Sequence, residues 1–329
     1  MMEEAIIIGA GPCGISAAVE LKKRGIEPLV IEKGCIANSI YHYPVGMTFF
    51  SSPENIEIGD VPFVTINEKP TRHEALKYYR KVVQLYDVKV HTYERVTQIQ
   101  KADPGFLVYT ETREGKKIYE TPYVILSTGY YDQPNLLNIP GEDLPHVFHY
   151  FKDGHPYAGH EVVVIGGRNS AIDAALELYQ AGANVTMVYR KASFHPSVKA
   201  WVKPVIEAAI EKERIRMIWE TEVMEIKPRS VVIDTKGVRS EIPADFVFAM
   251  TGYRPDLTMA KELGAEIDPK THVPICSEAM ETTVPGLYLA GVIATGHDAT
   301  KIFIENGRFH GQMIAEDIKQ KLNQKQYTG

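Results

Sequence analysis

Apolar positions along this chain fall into short continuous runs that break into glycines and are followed by amphipathic stretches, the pattern of buried parallel strands alternating with helices. The first run, Ala5 to Ile8, leads into Gly9, Gly11 and Gly14. An apolar-faced helix is expected over Ile15 to Arg24 with Gly25 as its C′ residue, then a strand over Leu29 to Ile31 that ends at Glu32. The same order returns later: strand Val162 to Ile165, turn Gly166-Gly167-Arg168-Asn169-Ser170-Ala171, helix to about Gln180, Gly182 as stop, strand Val185 to Tyr189. The interval from Gly9 to Gly25 equals that from Gly166 to Gly182, so the chain carries two copies of one device.

Between the copies, Lys33 to Phe50 reads as a loop, and Thr71-Arg72-His73-Glu74 as a capping box opening a helix through about Tyr86 with Leu76, Tyr79, Val83 and Tyr86 on one face. Val88 to Ile99, Phe106 to Thr112 and Ile118 to Leu126 have strand composition. The last ends on small residues, Ser127-Thr128-Gly129, and a later strand, Phe246 to Met250, ends similarly in Thr251-Gly252-Tyr253. The stretch Gly141 to Tyr157, with Pro145, Gly154 and Pro156, reads as the crossing into a second domain. His195 to Arg214 reads as a broken helix followed by an apolar-faced one, and Val231 to Asp234 as a strand. Thr283 to Gly291 predicts a turn and a strand; a final helix from Asp298 or Ala299 through Ile302, Phe303 and Ile304 follows, with a polar, frayed tail from Lys319. The expected fold class is α/β with two Rossmann-like domains, the first split in sequence: residues 1–152, 153–255 and 256–329.

The spacing of Gly9, Gly11 and Gly14 is G-x-G-x-x-G, in which the three glycines permit a tight turn, close approach of a pyrophosphate, and packing of the helix on its strand. The helix start offers free N–H groups and the positive dipole end to an anion. Glu32 is placed to accept hydrogen bonds from a ribose diol. The second copy departs twice. Arg168 replaces the middle glycine, and Arg190 and Lys191 stand where an acid ends the second strand. Cations there pair with a 2′-phosphate that an acid would repel, which favours NADPH over NADH.

A length of 329 residues suits two domains, and 44% hydrophobic with 24% charged residues is ordinary globular composition. A net charge of −6 argues against nucleic acid or an anionic membrane as main partners. MMEEAIII has acids where a secretory signal has lysines, and no apolar run approaches the ~20 residues of a membrane span, so a cytoplasmic protein is expected. Cys13, Cys35 and Cys276 form neither C-x-x-C nor a metal-ligand spacing, which fits a reducing compartment and no metal.

Together these motifs resemble the flavoproteins with two dinucleotide-binding domains. Size and the split first domain look like the low-molecular-weight thioredoxin reductases, whose C-x-x-C is missing here. The chain is more similar to the bacillithiol disulfide reductase family, through GAGPCG at Gly9 to Gly14, TFFSSPENIEIGDVPF at Thr48 to Phe63, STGYY at Ser127 to Tyr131, VFHYFK at Val147 to Lys152, GGRNSAIDAALEL at Gly166 to Leu178 and FIENGRFHG at Phe303 to Gly311. The resemblance implies an NADPH-dependent FAD enzyme that reduces the disulfide of a low-molecular-weight thiol, bacillithiol disulfide, with bacilliredoxin-type proteins as possible partners and a homodimer by analogy. It also implies the cofactor contacts. For FAD these are Gly9, Gly11, Pro12, Cys13, Gly14, Glu32, Lys33, Ser39, Tyr41, His42, Phe50, Val96, Thr128, Gly129, Gly291, Val292, Phe303 and Ile304. For NADPH they are Gly166 to Ala171, Arg190, Lys191, Gly252 and Tyr253. Related flavoproteins follow their last strand with an Asp that holds the ribityl chain; here Val292 stands there, so either its backbone groups substitute or the flavin is held somewhat differently.

Cys13 is the candidate redox thiol. A helix start favours the thiolate that attacks a disulfide, whereas a pyrophosphate opposes ionisation and small residues occupy the position for packing alone. Both readings stay open from the residues. Cys35 and Cys276 read as bystanders, and His42, His195 and Tyr131 are candidate proton donors. The rival functions are a ferredoxin- or flavodoxin-NADP reductase, a flavin monooxygenase, and a redox sensor without turnover that Arg168 keeps open.

Overall fold

The structure, a computed structural model, describes residues 2–296 and 301–328, with side chains as far as residue 324. In chain order it opens with β1 (Ala5–Ile8), α1 (Pro12–Lys23), β2 (Pro28–Ile31), the short helices α2 (Asn38–Tyr41) and α3 (Pro53–Ile56), α4 (Arg72–Leu85) and β3 (Lys89–His91). Then come β4 (Arg95–Lys101), β5 (Phe106–Thr112), β6 (Gly115–Thr121), β7 (Val124–Leu126) and β8 (Val147–Phe148). The second strand–turn–helix repeat is β9 (Glu161–Ile165), α5 (Asn169–Gln180) and β10 (Asn184–Tyr189), followed by α6 (Lys203–Glu211) and β11 (Arg216–Trp219). The remainder is β12 (Thr221–Lys227), β13 (Ser230–Thr235), β14 (Val238–Pro243), β15 (Phe246–Ala249), α7 (Thr258–Glu262), β16 (Leu287–Leu289), α8 (Ile304–Gly307) and α9 (His310–Thr328).

The chain divides into two compact units. Unit 1 holds residues 1–42, 47–133 and 253–329, and unit 2 holds 43–46 and 134–252. In unit 1 a parallel sheet runs in the order β16-β7-β1-β2-β3, its central strands buried at every position. Burial on both faces explains why these strands read as continuous apolar runs. The meander β4-β5-β6 adds Val96, Ile99, Phe106 and Val108 to the same core. Helices α1 and α9 cross on small residues: a Cβ on Gly311 would lie 2.7 Å from the Cα of Ala17. Unit 2 repeats the plan with a parallel sheet β11-β10-β9-β15-β8 and a meander β12-β13-β14.

Several boundaries differ from the sequence reading. Helix α1 starts at Pro12 because proline at the first helical position gives up an N–H that has no partner anyway. Val88 to Ile99 is two strands, split where Tyr93 turns to φ +55°, so β3 joins the parallel sheet and β4 the meander. Ile118 to Leu126 likewise breaks at Pro122 into β6 and β7. The stretch 141–157, expected as the crossing, lies inside unit 2, since its strand β8 pairs with β15 and extends that sheet; the units exchange at Gln133/Pro134 and Gly252/Tyr253. The expected final helix is α8 and α9 with a turn at Arg308–Phe309, and helix continues to Thr328 instead of fraying from Lys319. Lys321 ties it to Glu281 and pairs with Asp317 one turn back on the same helix. The expected starting positions Asp298 and Ala299 lie outside the described residues. The capping box at Thr71 and Glu74 forms as expected.

Candidate functional site

The carboxyl ends of β1, β2, β7 and β16 meet at one edge of unit 1, where parallel sheets of this kind bind ligands. Gly9 leaves β1 at φ +107°, and a Cβ on it would lie 2.4 Å from the Ser127 carbonyl oxygen at the end of β7. A Cβ on Gly14 would lie 2.1 Å from the Gly9 carbonyl oxygen. Both glycines are therefore demanded by the protein's own packing. At Gly11, the N-cap of α1, a Cβ would meet nothing within 4 Å, and the backbone is ordinary extended chain. Neither strain nor crowding within the chain calls for glycine there, so the open space fits close approach of a ligand to the start of α1.

Glu32 ends β2 with its carboxylate accepting from the backbone N–H of Ala10 at 2.9 Å and of Gly34 at 2.7 Å. Burial pushes its pKa up, against the pull of these two donors. The bonds tie the acid to the glycine turn and leave lone pairs for further donors such as a ribose diol. Lys33 pairs with Asp132 at 2.6 Å. Ser39 and Tyr41 lie on α2, where the Arg72 guanidinium sits 5.5 Å from the half-exposed Tyr41 ring. The His42 carbonyl accepts from the Tyr131 hydroxyl at 3.1 Å, and Tyr253 packs 4.7 Å from the Tyr131 ring. Thr128, Gly129 and Phe50 are half-buried, and Val96 turns its side chain into the core of the unit.

Cys13 points away from an anion-activated thiol. A Cβ on Gly291 would lie 2.8 Å from its sulfur, and one on Gly307 would lie 3.0 Å from it, so the sulfur fills the space between these two glycines. The residue as a whole is half-buried. Burial of the sulfur, then the negative charge of Glu305, push the thiol up to about 12. Glu305 in turn accepts from the Ser51 hydroxyl, joining two of the motifs the sequence singled out. Gly291 closes β16 at φ +84°, Val292 begins the short turn that follows, and Phe303, half-exposed, caps α8 ahead of Ile304. Sequence reasoning assigned no role to Glu305 and His310, whose spacing carries no periodic signal; His310 accepts from the Gly291 N–H at 3.1 Å.

In unit 2, Gly166 (φ +143°) has no room for a Cβ beside the Met250 carbonyl oxygen, and Gly167 none beside the Tyr189 ring. Arg168 is the N-cap of α5, as Gly11 is of α1, and its guanidinium reaches His195 Nε2 at 3.2 Å. Burial, then the Arg168 charge, hold the His195 pKa below its usual range. Asn169 binds the Ser197 carbonyl and the Lys199 N–H, strapping residues 195–199 over the start of α5 beside Ser170 and Ala171. Arg190 and Lys191 are exposed at the end of β10, so the edge around this helix start is cationic. Gly252 (φ +86°) ends the neighbouring turn after β15. No group of His, Cys, Asp and Glu among the described residues is arranged to hold a metal.

A model of the pyridine nucleotide-disulphide oxidoreductase family matches residues 6–291, which makes this a dinucleotide-dependent oxidoreductase, and two glycine turns at helix starts, one beside an acid and one beside cations, fit that class. The chain belongs to that family, whose enzymes work with FAD and NAD(P)H. Its relatives include bacilliredoxin reductase Bdr of Bacillus subtilis (strain 168), 51% identical over 98% of this chain and 99% of that one. The solved structure of bacillithiol disulfide reductase Bdr from Bacillus cereus superposes with a TM-score of 0.96 at 50% identity, covering 98% of this chain and all of the other. A ferredoxin–NADP reductase of Ignicoccus hospitalis is 30% identical over 89% of this chain and 90% of its own length.

Proposed function

We propose that this protein is an NADPH-dependent, FAD-containing reductase whose substrate is the disulfide of a low-molecular-weight thiol, bacillithiol disulfide, in the cytoplasm. The observation that carries the reading is a chain with two nucleotide turns and three separate free cysteines, none paired with another. No dithiol is present to relay electrons, so the disulfide to be reduced belongs to the substrate. Per turnover NADPH, a proton and the disulfide become NADP+ and two thiols. FAD, when bound, supplies the two-electron link between nucleotide and disulfide.

The residues take roles that follow from their geometry. Unit 1 holds FAD, with Gly11 and the α1 start on its pyrophosphate and Glu32 on a ribose. Unit 2 holds NADPH, with Arg168 and the α5 start on phosphate and Arg190 and Lys191 on the 2′-phosphate. Cys13 serves packing: a sulfur between two glycines with its thiol pushed up to about 12 is protonated at neutral pH. A second reading, with a bacilliredoxin-type protein as direct acceptor, is favoured by the name of the Bacillus subtilis relative.

An anaerobic single-turnover experiment tests this. The protein is reduced with NADPH, then mixed with bacillithiol disulfide, an oxidised bacilliredoxin or an oxidised ferredoxin while flavin absorbance is followed. The expected result is rapid reoxidation by the small disulfide, kept within about threefold in Cys13→Ser because the hydroxyl preserves most of the packing. Loss of reoxidation in Cys13→Ser would return that thiol to the chemistry. Reoxidation by a protein acceptor alone would move the activity to that partner.

A further inference from the structure

His310 opens α9 directly under the turn that ends β16. It is 9% exposed, and its Nδ1 accepts from the backbone N–H of Gly291. Gly291 itself is buried, with φ +84° and ψ −153°, a region open essentially to glycine alone. Such a conformation persists where its surroundings over-determine it, and here they do so from three sides. Cys13 of α1 packs against its Cα side, Gly307 of α8 lies close enough that a Cβ there would stand 3.1 Å from the Gly291 Cα, and His310 takes its N–H.

To accept from an N–H, Nδ1 needs a free lone pair, so the ring is neutral and carries its proton on Nε2. The environment agrees, since burial holds the His310 pKa below its usual range. The other titratable and charged groups on the elements around it are few. Helix α1 brings Cys13 and, further along, Glu20 and Arg24, which pairs with Glu316 of α9. Helix α8 and the turn after it bring Glu305 and Arg308, and Asp317 of α9 is engaged by Tyr288 of β16 and by Lys321. Burial is the resolved cause of the shift at His310, with none of these charges among its causes.

We propose that His310 is a positioning residue for FAD, acting through Gly291: the neutral imidazole fixes the backbone of the Gly291–Val292 turn at the cofactor edge of unit 1, and protonation sets two N–H groups against each other and releases it. The proposal rests on the reading that unit 1 binds FAD. Asparagine offers the conservative replacement, because its amide oxygen stands about where Nδ1 does and accepts at any pH.

The test is titration of the apoprotein with FAD, followed by flavin fluorescence between about pH 4 and pH 8 for wild type, His310→Asn and His310→Leu, a range carried to the acid side of ordinary histidine titration because burial lowers the His310 pKa. Wild type is expected to lose affinity progressively toward the acid end, His310→Asn to bind within about threefold of wild type at neutral pH with a flattened profile, and His310→Leu to bind at least about tenfold more weakly throughout. Circular dichroism of the apoproteins establishes that each variant folds. If His310→Leu does not fold, the comparison of wild type with His310→Asn decides. Identical pH profiles for those two, or a folded His310→Leu that binds like wild type, would overturn the proposal while leaving the FAD site standing. Wild type that takes up no FAD at neutral pH would remove the FAD reading and this proposal with it. No disulfide enters the measurement, so the substrate's identity does not bear on it.

Discussion

At Gly11 an added side chain meets no protein atom within 4 Å, whereas at Gly9 and Gly14 it overlaps backbone oxygens. The consequence separates binding from folding. Gly11→Ala is expected to leave apoprotein stability within about 0.5 kcal/mol of wild type while weakening FAD binding about tenfold or more, because the methyl stands where the ligand must come. Gly14→Ala is expected to cost about 2 kcal/mol or more of stability, with loss of FAD following from the damaged turn. Urea unfolding of the apoproteins and fluorescence titration with FAD check both; equal stability loss in the two variants would show that Gly11 serves packing after all. The spacing of these glycines and the job of each were readable in the sequence; what was not is the group that crowds Gly9, the carbonyl of Ser127, which approaches from a strand over a hundred residues away. Cys13 teaches the same thing with opposite sign: a helix start suggests a thiolate, and two glycines from the far end of the chain bury the sulfur.

Among the elements, α5 carries the clearest electrostatic signature. Asp173 is half-buried on it, and burial together with the charge of Glu177, one turn on, raises its pKa to about 6. A carboxyl raised on folding contributes stability that is complete below its ordinary pKa and is lost as pH rises through about 6. Asp173→Asn is therefore expected to be more stable than wild type by about 1 kcal/mol at pH 8, a figure discounted for partial exposure, with the difference closing toward about pH 4. Urea unfolding at the two pH values measures it, and a gap that does not change with pH would mean the carboxyl is ordinarily ionised. Helix α5 and its strands were legible because their burial pattern is local and periodic. The strands β11, β12 and β14 were not, because they carry mixed burial patterns and gain their definition from pairing with β10 and β13.

At the scale of the whole molecule, unit 2 is almost one continuous stretch with its own apolar clusters, around Ile172 and Phe248 on one side of its sheet and Val163 and Val231 on the other. The isolated segment 134–252 is thus expected to unfold cooperatively and to bind NADP+ within about tenfold of the intact protein, since only the strap 43–46 and, of the expected NADPH contacts, Tyr253 are left behind. Both tryptophans of the chain, Trp201 and Trp219, lie in this segment, so fluorescence quenching reads the binding; a segment without a cooperative transition would show that the unit depends on the rest of the chain. The sequence by itself determined that there are two strand–turn–helix devices, where each begins, and the reversal from Glu32 to Arg190 and Lys191 that distinguishes them, because these are matters of local periodicity, glycine spacing and charge within about thirty residues. Tertiary structure alone decided where the chain passes between units, that the stretch 141–157 completes a sheet rather than linking two domains, and that Cys13, Gly291, Gly307 and His310 share one place. Those outcomes follow from strand pairing and side-chain packing between segments remote in sequence, which no local pattern records.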